Sequence, residues 1–321
     1  MSKRASIRRL VVRIGGRLAI GVAVVWAVFT LVFAILRVLP GDPVSLAANA
    51  DSGGAPPSPA TIAALRAQYG LDRPLWQQYL AAMSDFVHGD WGTSVVTGRP
   101  VTTSLLEALP STAELAAAAL VLGAVVAFVV AFIATFRPHG IVARIVGQIP
   151  SVLVSMPTFA VGLVLIQVFA FGLHLLPGFG DDGAAALVLP AVTLAVPVAG
   201  YLGQVMAAGM REAAQQPFVD VARAKGASDL SVHLRHVAPA AALPALAALG
   251  VLVGSALAGA VVVETVFSRM GLGRLTQQAL VAHDGPVMLA VVAVSAVVFV
   301  VVSLVVDLIG PLVDPRGRAA A

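Results

Sequence analysis

DVARAKGASDLSVHLRHVAP, residues Asp220 to Pro239, is a polar island between two long apolar segments. Pro217, just upstream, fits the first position of a helix, where its missing N–H costs nothing. Phe218, Val221 and Ala222 follow at i, i+3 and i+4 and so share one helical face, while Arg223 and Lys225 project elsewhere. Gly226 can take a positive φ and end this first block. Ser228 can cap the second block, which runs to His236, and Pro239 opens the next apolar run. Ala222 and Gly226 are small enough for a partner to approach the backbone. The island carries basic residues but no large aliphatic face, which fits a protein partner better than a lipid surface. The stretch reads as a compact helix-turn-helix that a membrane protein presents to something soluble.

The rest of the chain supplies the membrane. Of its 321 residues 59% are hydrophobic and 11% charged, with mean hydropathy +0.95, which excludes an ordinary soluble domain. A formal charge of +4, without a basic aromatic patch, excludes a nucleic-acid binder. There is no cysteine, hence no disulfide, thiolate metal site or cysteine nucleophile. Six stretches lack Asp, Glu, Lys and Arg for long enough to cross a bilayer, which takes about 20 residues. They are Leu18 to Leu36, Leu115 to Phe136, Ile145 to Gly180, Gly183 to Met210, Val237 to Val263 and Gly285 to Val306. Pro150, Pro157 and Pro177 punctuate the third and Pro190 and Pro197 the fourth, so both read as kinked or tilted helices.

Charge sets the expected orientation. With the N-terminus inside, 14 basic residues fall in inside segments and 6 in outside segments, which follows the positive-inside rule. The expected layout is a cytoplasmic N-terminus over residues 1–17 and a first transmembrane helix over 18–39. An extracytoplasmic helical loop over 40–111 precedes a core of helices two to six over 112–310, with a cytoplasmic C-terminus over 311–321. The core includes the cytoplasmic loop 211–239. Ala48-Asn49-Ala50 matches a signal cleavage pattern, but it lies well past the apolar end and the apolar run exceeds an h-region, so the segment reads as an anchor helix. In the outer loop, Pro40-Gly41-Asp42-Pro43 predicts a turn. Ser58-Pro59 opens a helix that Gly70 stops, and Pro74 opens a second that ends at Gly89. Trp76 and Trp91 suit an interface.

Few residues promise chemistry. His233 and His236 stand at i, i+3 without a third ligand, so no metal site is expected. Gly271-Leu272-Gly273 lacks the third glycine of a dinucleotide fingerprint, and no G-x4-G-K-[ST] occurs anywhere. Glu114, Glu264 and Asp307 lie near span ends, where hydrogen bonding or anchoring is a better reading than a proton relay. Gly250, Gly254 and Ala258 form a small-residue stripe, read as a packing seam either within this chain or with another subunit or the pore.

The polar island is similar to the pattern E-A-A-x3-G-x9-I-x-L-P, which marks the coupling loop of permease subunits in binding-protein-dependent ABC importers. Asp220-Val221-Ala222 stands at E-A-A, Gly226 at the glycine, and His236-Val237-Ala238-Pro239 at I-x-L-P. The spacings, the third alanine, the glycine and the proline match. The acid is conservatively changed, and Val221, His236 and Ala238 depart from the strict form. Further segments resemble the dipeptide/oligopeptide permease branch. They are Arg37-Val38-Leu39-Pro40-Gly41-Asp42-Pro43, Gly70-Leu71-Asp72-Arg73-Pro74-Leu75, Gly89-Asp90-Trp91-Gly92-Thr93-Ser94 and Thr97-Gly98-Arg99-Pro100-Val101. The same holds of Glu264-Thr265-Val266-Phe267-Ser268, Gly271-Leu272-Gly273-Arg274-Leu275 and Asp314-Pro315-Arg316. The large outer loop resembles the B-type subunit.

The resemblance implies an all-α membrane protein with the type I ABC importer fold, six transmembrane helices and a small outer helical region. It implies a bacterial plasma-membrane permease taking up di- or oligopeptides, with a second permease chain as heterodimer partner. Two cytoplasmic ATP-binding subunits and an extracytoplasmic substrate-binding protein complete the set. The chain itself would bind no cofactor and be no enzyme, with ATP and Mg on the partner subunits. Asp220, Val221, Ala222, Arg223, Lys225, Gly226, Ala227, Ser228 and Pro239 would form the ATPase-coupling loop. Glu264, Phe267, Gly271, Gly273 and Arg274 would serve an outer gate or loop contacts. A nickel-complex or other small-solute importer is the alternative substrate reading. A stand-alone secondary transporter is the alternative class, but it would need acids at the bilayer midplane, where this chain has none.

Overall fold

The computed structural model describes residues 2–38, 58–68, 70 and 72–313, with the backbone alone at 2–14, 61, 65, 68, 307 and 309–313. The expected turn at Pro40–Pro43, the Ala48-Asn49-Ala50 pattern, the closing Asp314-Pro315-Arg316 and the Asp307 side chain lie outside the described residues.

Among the described residues the fold is helical apart from one isolated bridge between Thr93 and Pro100. Five helices are long and apolar enough to cross a membrane, and a sixth candidate span is broken. The broken one pairs Ile141–Ser155 with Thr158–Gly172, bent by 102°. The bend falls at Met156-Pro157, where both residues are extended, as proline and the residue before it require. Pro150 sits in the first turn of Ile149–Ser155 and does not break it. Pro190 and Pro197 lie inside a single helix, α8 (Gly183–Ala214).

Three helices outrun the uncharged stretches that announced them. The first, α1 (Ser2–Val38), runs through the basic N-terminal residues. The second, α4 (Val101–Phe136), begins inside the expected outer loop and carries Glu107, Pro110 and Glu114. The fifth begins at Asp229, inside the polar island, and runs to Phe267. Charges mark where a helix leaves the hydrocarbon and not where its hydrogen bonds stop, so runs of uncharged residues underestimate helix length.

The chain forms two compact units, residues 1–110 with 270–300 and residues 111–269 with 301–321. In the first, the outer helices α2 (Pro59–Gln68) and α3 (Leu75–His88) precede α4. Phe29 of α1 is buried against Tyr79 and Phe86, with ring centroids 6.2 and 5.3 Å apart, and Phe86 meets Trp91 edge-on at 4.9 Å. Gly89 ends α3 at φ +77°. Trp91 packs on a core built around Val101, Leu105, Leu272 and Val291, while Trp76 is exposed. Buried Asp284 accepts from Ser94 Oγ and from the Val287 N–H, which fixes the start of α13 (Gly285–Val313).

In the second unit, α8 is the central helix. Its Gly200 lies so close to Ile149–Ser155 that an added Cβ would sit 2.7 Å from Val154 Cγ2, and Gly203 faces Pro150. Gly123 meets Val198, and Gly259 meets Leu194. These are the close approaches that small residues allow between membrane helices. The Gly250, Gly254 and Ala258 stripe lies on the fifth-span helix (Ala242–Phe267). A Cβ at Gly250 would find only Val306, at 3.6 Å, and Ala258 is exposed. The face of that helix that packs inward carries Ala248, Leu252, Ala256, Ala260 and Val263.

Candidate functional site

The polar island folds into two short helices joined by a tight turn. Helix α9 (Pro217–Ala224) starts at Pro217 in its first turn and ends at Lys225. Gly226 takes φ +86°. Its N–H donates to the Arg223 carbonyl at 2.9 Å, and the Ala227 N–H donates to the Ala222 carbonyl at 3.2 Å. This pair of bonds is the Schellman closure, which uses carbonyls the helix end would otherwise leave unpaired. Nothing lies within 4 Å of a Cβ built on Gly226, so the backbone conformation and not crowding calls for glycine here. Ser228 then caps α10 (Asp229–Val232), accepting from the Ser231 N–H at 3.3 Å. Arg223 Nε reaches Asp229 across the turn at 3.3 Å, with Nη1 4.0 Å from Asp220. All three are well exposed, so these pairs orient the turn more than they stabilise it.

Beneath the turn lies a closed apolar base. Val219 and Ala222 are buried with Val232, Val237, Ala241, Met210 and Ala131. The inward face of α9 is therefore Val219 with Ala222, and the shared face predicted for Phe218, Val221 and Ala222 is corrected. Phe218 and Val221 point out, and Leu230 and Leu234 are exposed on the next helix. The island, expected to lack a large aliphatic face, exposes Phe218, Val221, Leu230 and Leu234. Which of two adjacent apolar residues turns inward depends on what lies below the helix, and spacing alone does not say. Ala222 supports the loop from inside and is not itself offered to a partner.

From Asp229 the helix continues without interruption into the fifth span. A π turn at His233–Val237 and a 3-10 turn at Ala238–Ala241 surround Pro239, after which α11 (Ala242–Phe267) is regular. Proline lacks the donor for the usual i−4 bond, and the local change of winding accommodates it. His233 is buried, with Nε2 3.0 Å from Thr135 Oγ1 and its ring edge-on to Phe132 and Phe136. It ties the loop to α4. His236 is exposed.

The other end of the same helix is also polar and closed. Glu264 is fully buried and accepts from Thr112 Oγ1 at 2.6 Å. Ser268 ends α11 at φ 56°, and the Arg269 N–H returns to the Glu264 carbonyl at 2.9 Å. The Arg269 side chain, 3% exposed, turns inward. Its Nη2 lies 3.2 Å from Asp181 Oδ1 and 3.1 Å from Ser111 Oγ. Its Nη1 faces the Ala186 carbonyl at 3.5 Å. That carbonyl is the one left without its helical donor by Pro190, four residues on. The Gly180 N–H donates to the Phe267 carbonyl at 2.9 Å.

Comparison with known proteins identifies this arrangement. Residues 119–319 match the family described as binding-protein-dependent transport system inner membrane component. The chain belongs to this family. A probable peptide ABC transporter permease of Sinorhizobium fredii is 32% identical over 94% of this chain and 97% of its own length. The dipeptide transport system permease DppB of Lactococcus lactis is 30% identical, with the same two shares. The glutathione transport system permease GsiC of Escherichia coli is 33% identical over 91% and 94%. A chain from inward facing structures of the MetNI methionine ABC transporter has the same fold over 66% of this chain and 96% of its own, at TM-score 0.56 and 18% identity. The expected all-α ABC importer fold and the importer-permease class therefore hold.

Within this family member, the structure brings Asp220, Val221, Ala222, Arg223, Lys225, Gly226, Ala227 and Ser228 into one element. Pro239 lies in the 3-10 turn that follows the π turn leading from it. Phe267 is a core residue against which Gly162 packs. Glu264 is buried and hydrogen-bonded, and not at a wet interface. Gly271 precedes α12 (Leu272–Val281) with extended backbone, and Gly273 is buried. These two and Arg274 belong to the first unit, Glu264 and Phe267 to the second. Sequence reading missed Arg269, Asp181 and Thr112. The available signal was an Arg five residues after a span-ending Glu, which charge counting placed among outside residues.

Proposed function

We propose that this chain is a peptide permease of a bacterial plasma membrane, with both termini cytoplasmic. It pairs with a second permease chain, two cytoplasmic ATP-binding subunits and an extracytoplasmic binding protein that delivers di- or oligopeptides. The observation that carries this reading is the capped helix-turn-helix at 217–232, whose Phe218, Val221 and Leu230 are exposed although no lipid-length apolar stretch contains them. Exposed apolar side chains ringed by Asp220, Arg223 and Lys225 fit a protein groove. The names of the relatives, peptide, dipeptide and glutathione permeases, support a peptide substrate. Gly250, which meets only Val306 among the described residues, and exposed Ala258 fit, with Gly254 between them, the seam with the second permease.

In this reading, ATP binding closes the two ATPase subunits on each other and carries the turn at Gly226 with them. The buried base under Val219 and Ala222 makes the turn move as a rigid piece. The continuous helix from Asp229 conveys that movement to Phe267, and differential affinity for the two ATPase states drives the change. Purification from native membranes tests the assignment. ATPase subunits and a second permease are expected to co-purify, with ATP hydrolysis stimulated by the peptide-loaded binding protein. A solitary chain that transports on an ion gradient contradicts it.

A further inference from the structure

The polar cluster at the outer end of α11 has no role in the coupling just described. It joins three segments: the second span at Ser111 and Thr112, the approach to α8 at Gly180, Asp181 and Ala186, and the helix end at Glu264, Phe267 and Arg269. The same helix begins at the coupling turn. Its 39 residues span about 60 Å, which exceeds the roughly 30 Å hydrocarbon core, so one rod touches both the turn and the cluster.

From this geometry we propose that Arg269 on Asp181, beside Glu264 on Thr112, forms a polar clasp that holds the outer end of the transport path shut, released when the rod moves. The inference deepens the proposed function and rests on it. Simple packing would not need charge at this point. Phe267, Leu115 and Leu189 already provide an apolar seam. An ion pair here gives a contact of different character. The attraction between Arg269 and Asp181 is largely offset by lost hydration, so separating them into water costs little net free energy, whereas Arg269 left buried without its partner is disfavoured. Such a contact is two-state: fully made or fully wet. Arg269 Nε has no hydrogen-bond partner among the described residues, so the closed form does not use every donor. Arg269 also fills the carbonyl that Pro190 vacates, so α8 is engaged only while the clasp is made. Glu264 and Arg269 act here as positioning residues and touch no substrate.

The test uses the assembled transporter in proteoliposomes. Thr112→Val and Asp181→Asn are expected to raise ATP hydrolysis without peptide by about fivefold, the lower range of ordinary coupling between sites. Thr112→Ser, which keeps the hydroxyl, is expected to stay at the wild-type rate. Because the chain has no cysteine, a Ser111→Cys/Asp181→Cys pair can be bridged by a short cleavable bifunctional thiol reagent. Bridging is expected to stop uptake, and cleavage to restore it. Uptake through the bridged protein at the unbridged rate overturns the clasp, and so does an equal rise in Thr112→Ser and Thr112→Val. If peptide-stimulated hydrolysis is absent from the wild type, the proposed function fails; if it is intact and the variants behave like wild type, only the clasp fails.

Discussion

At Gly226 the φ of +86° and the two closing hydrogen bonds make the residue's conformation, and not its contacts, the quantity to test. Gly226→Leu would strain a left-handed position by about 1–2 kcal/mol, and relieving the strain would open the turn. Gly226→Asn is expected to cost less, since asparagine tolerates this region. Uptake per ATP hydrolysed is expected to fall for Leu well below Asn; equal values would show that shape at this turn is irrelevant. Ser228→Ala removes one cap and is expected to lower stability by about 1 kcal/mol, read as a lower thermal midpoint with uptake largely kept. Both residues were legible in sequence because a turn glycine and a cap depend on neighbours within four positions. The inward choice of Val219 over Phe218 was not legible, because it depends on the base below the helix, including Ala131, far away in sequence.

Between the turn and the membrane, the element that matters is the single helix from Asp229 to Phe267. Its sequence announces an apolar core and a proline, which is why a boundary at Pro239 was expected. The π and 3-10 turns around that proline keep the helix continuous, and such rewinding leaves no pattern in residue type. Buried His233, hydrogen-bonded to Thr135, fastens this stretch to α4. Thr135→Val keeps the volume but leaves the imidazole without that partner. A cost of roughly 1–3 kcal/mol is expected, together with a loss of coupling that Thr135→Ser restores. Unchanged coupling in Thr135→Val would mean that His233 only fills space. Phe218→Asp, on the exposed face, is expected to leave the thermal midpoint near wild type and to weaken retention of the ATPase subunits during purification. Firm retention in that variant would remove the exposed apolar face from the docking account.

Across the whole molecule, composition and six uncharged stretches were enough to read a multi-span helical membrane protein, because a bilayer forces backbone hydrogen bonds into helices; the importer-subunit reading came from the resemblance carried by the motif at Asp220 to Pro239. The break at Met156-Pro157 was foreshadowed by its proline, whereas helix ends and the glycine approaches at Gly200 and Gly259 were not readable to the same degree. They are settled by packing between segments distant in the chain. The buried pairing of Glu264 and Arg269 with Thr112 and Asp181 belongs to that class, since a charge near a span end looks alike whether it faces water or protein. The central claim is that an ATPase drives this chain through the turn at Gly226. The most direct test is peptide uptake into proteoliposomes holding the full complex, with ATP hydrolysis measured in the same vesicles for wild type and Gly226→Leu. The account predicts that wild type accumulates peptide only with ATP, and that Gly226→Leu inserts and assembles, still hydrolyses ATP, and accumulates little. Equal accumulation by both proteins at equal hydrolysis would contradict it.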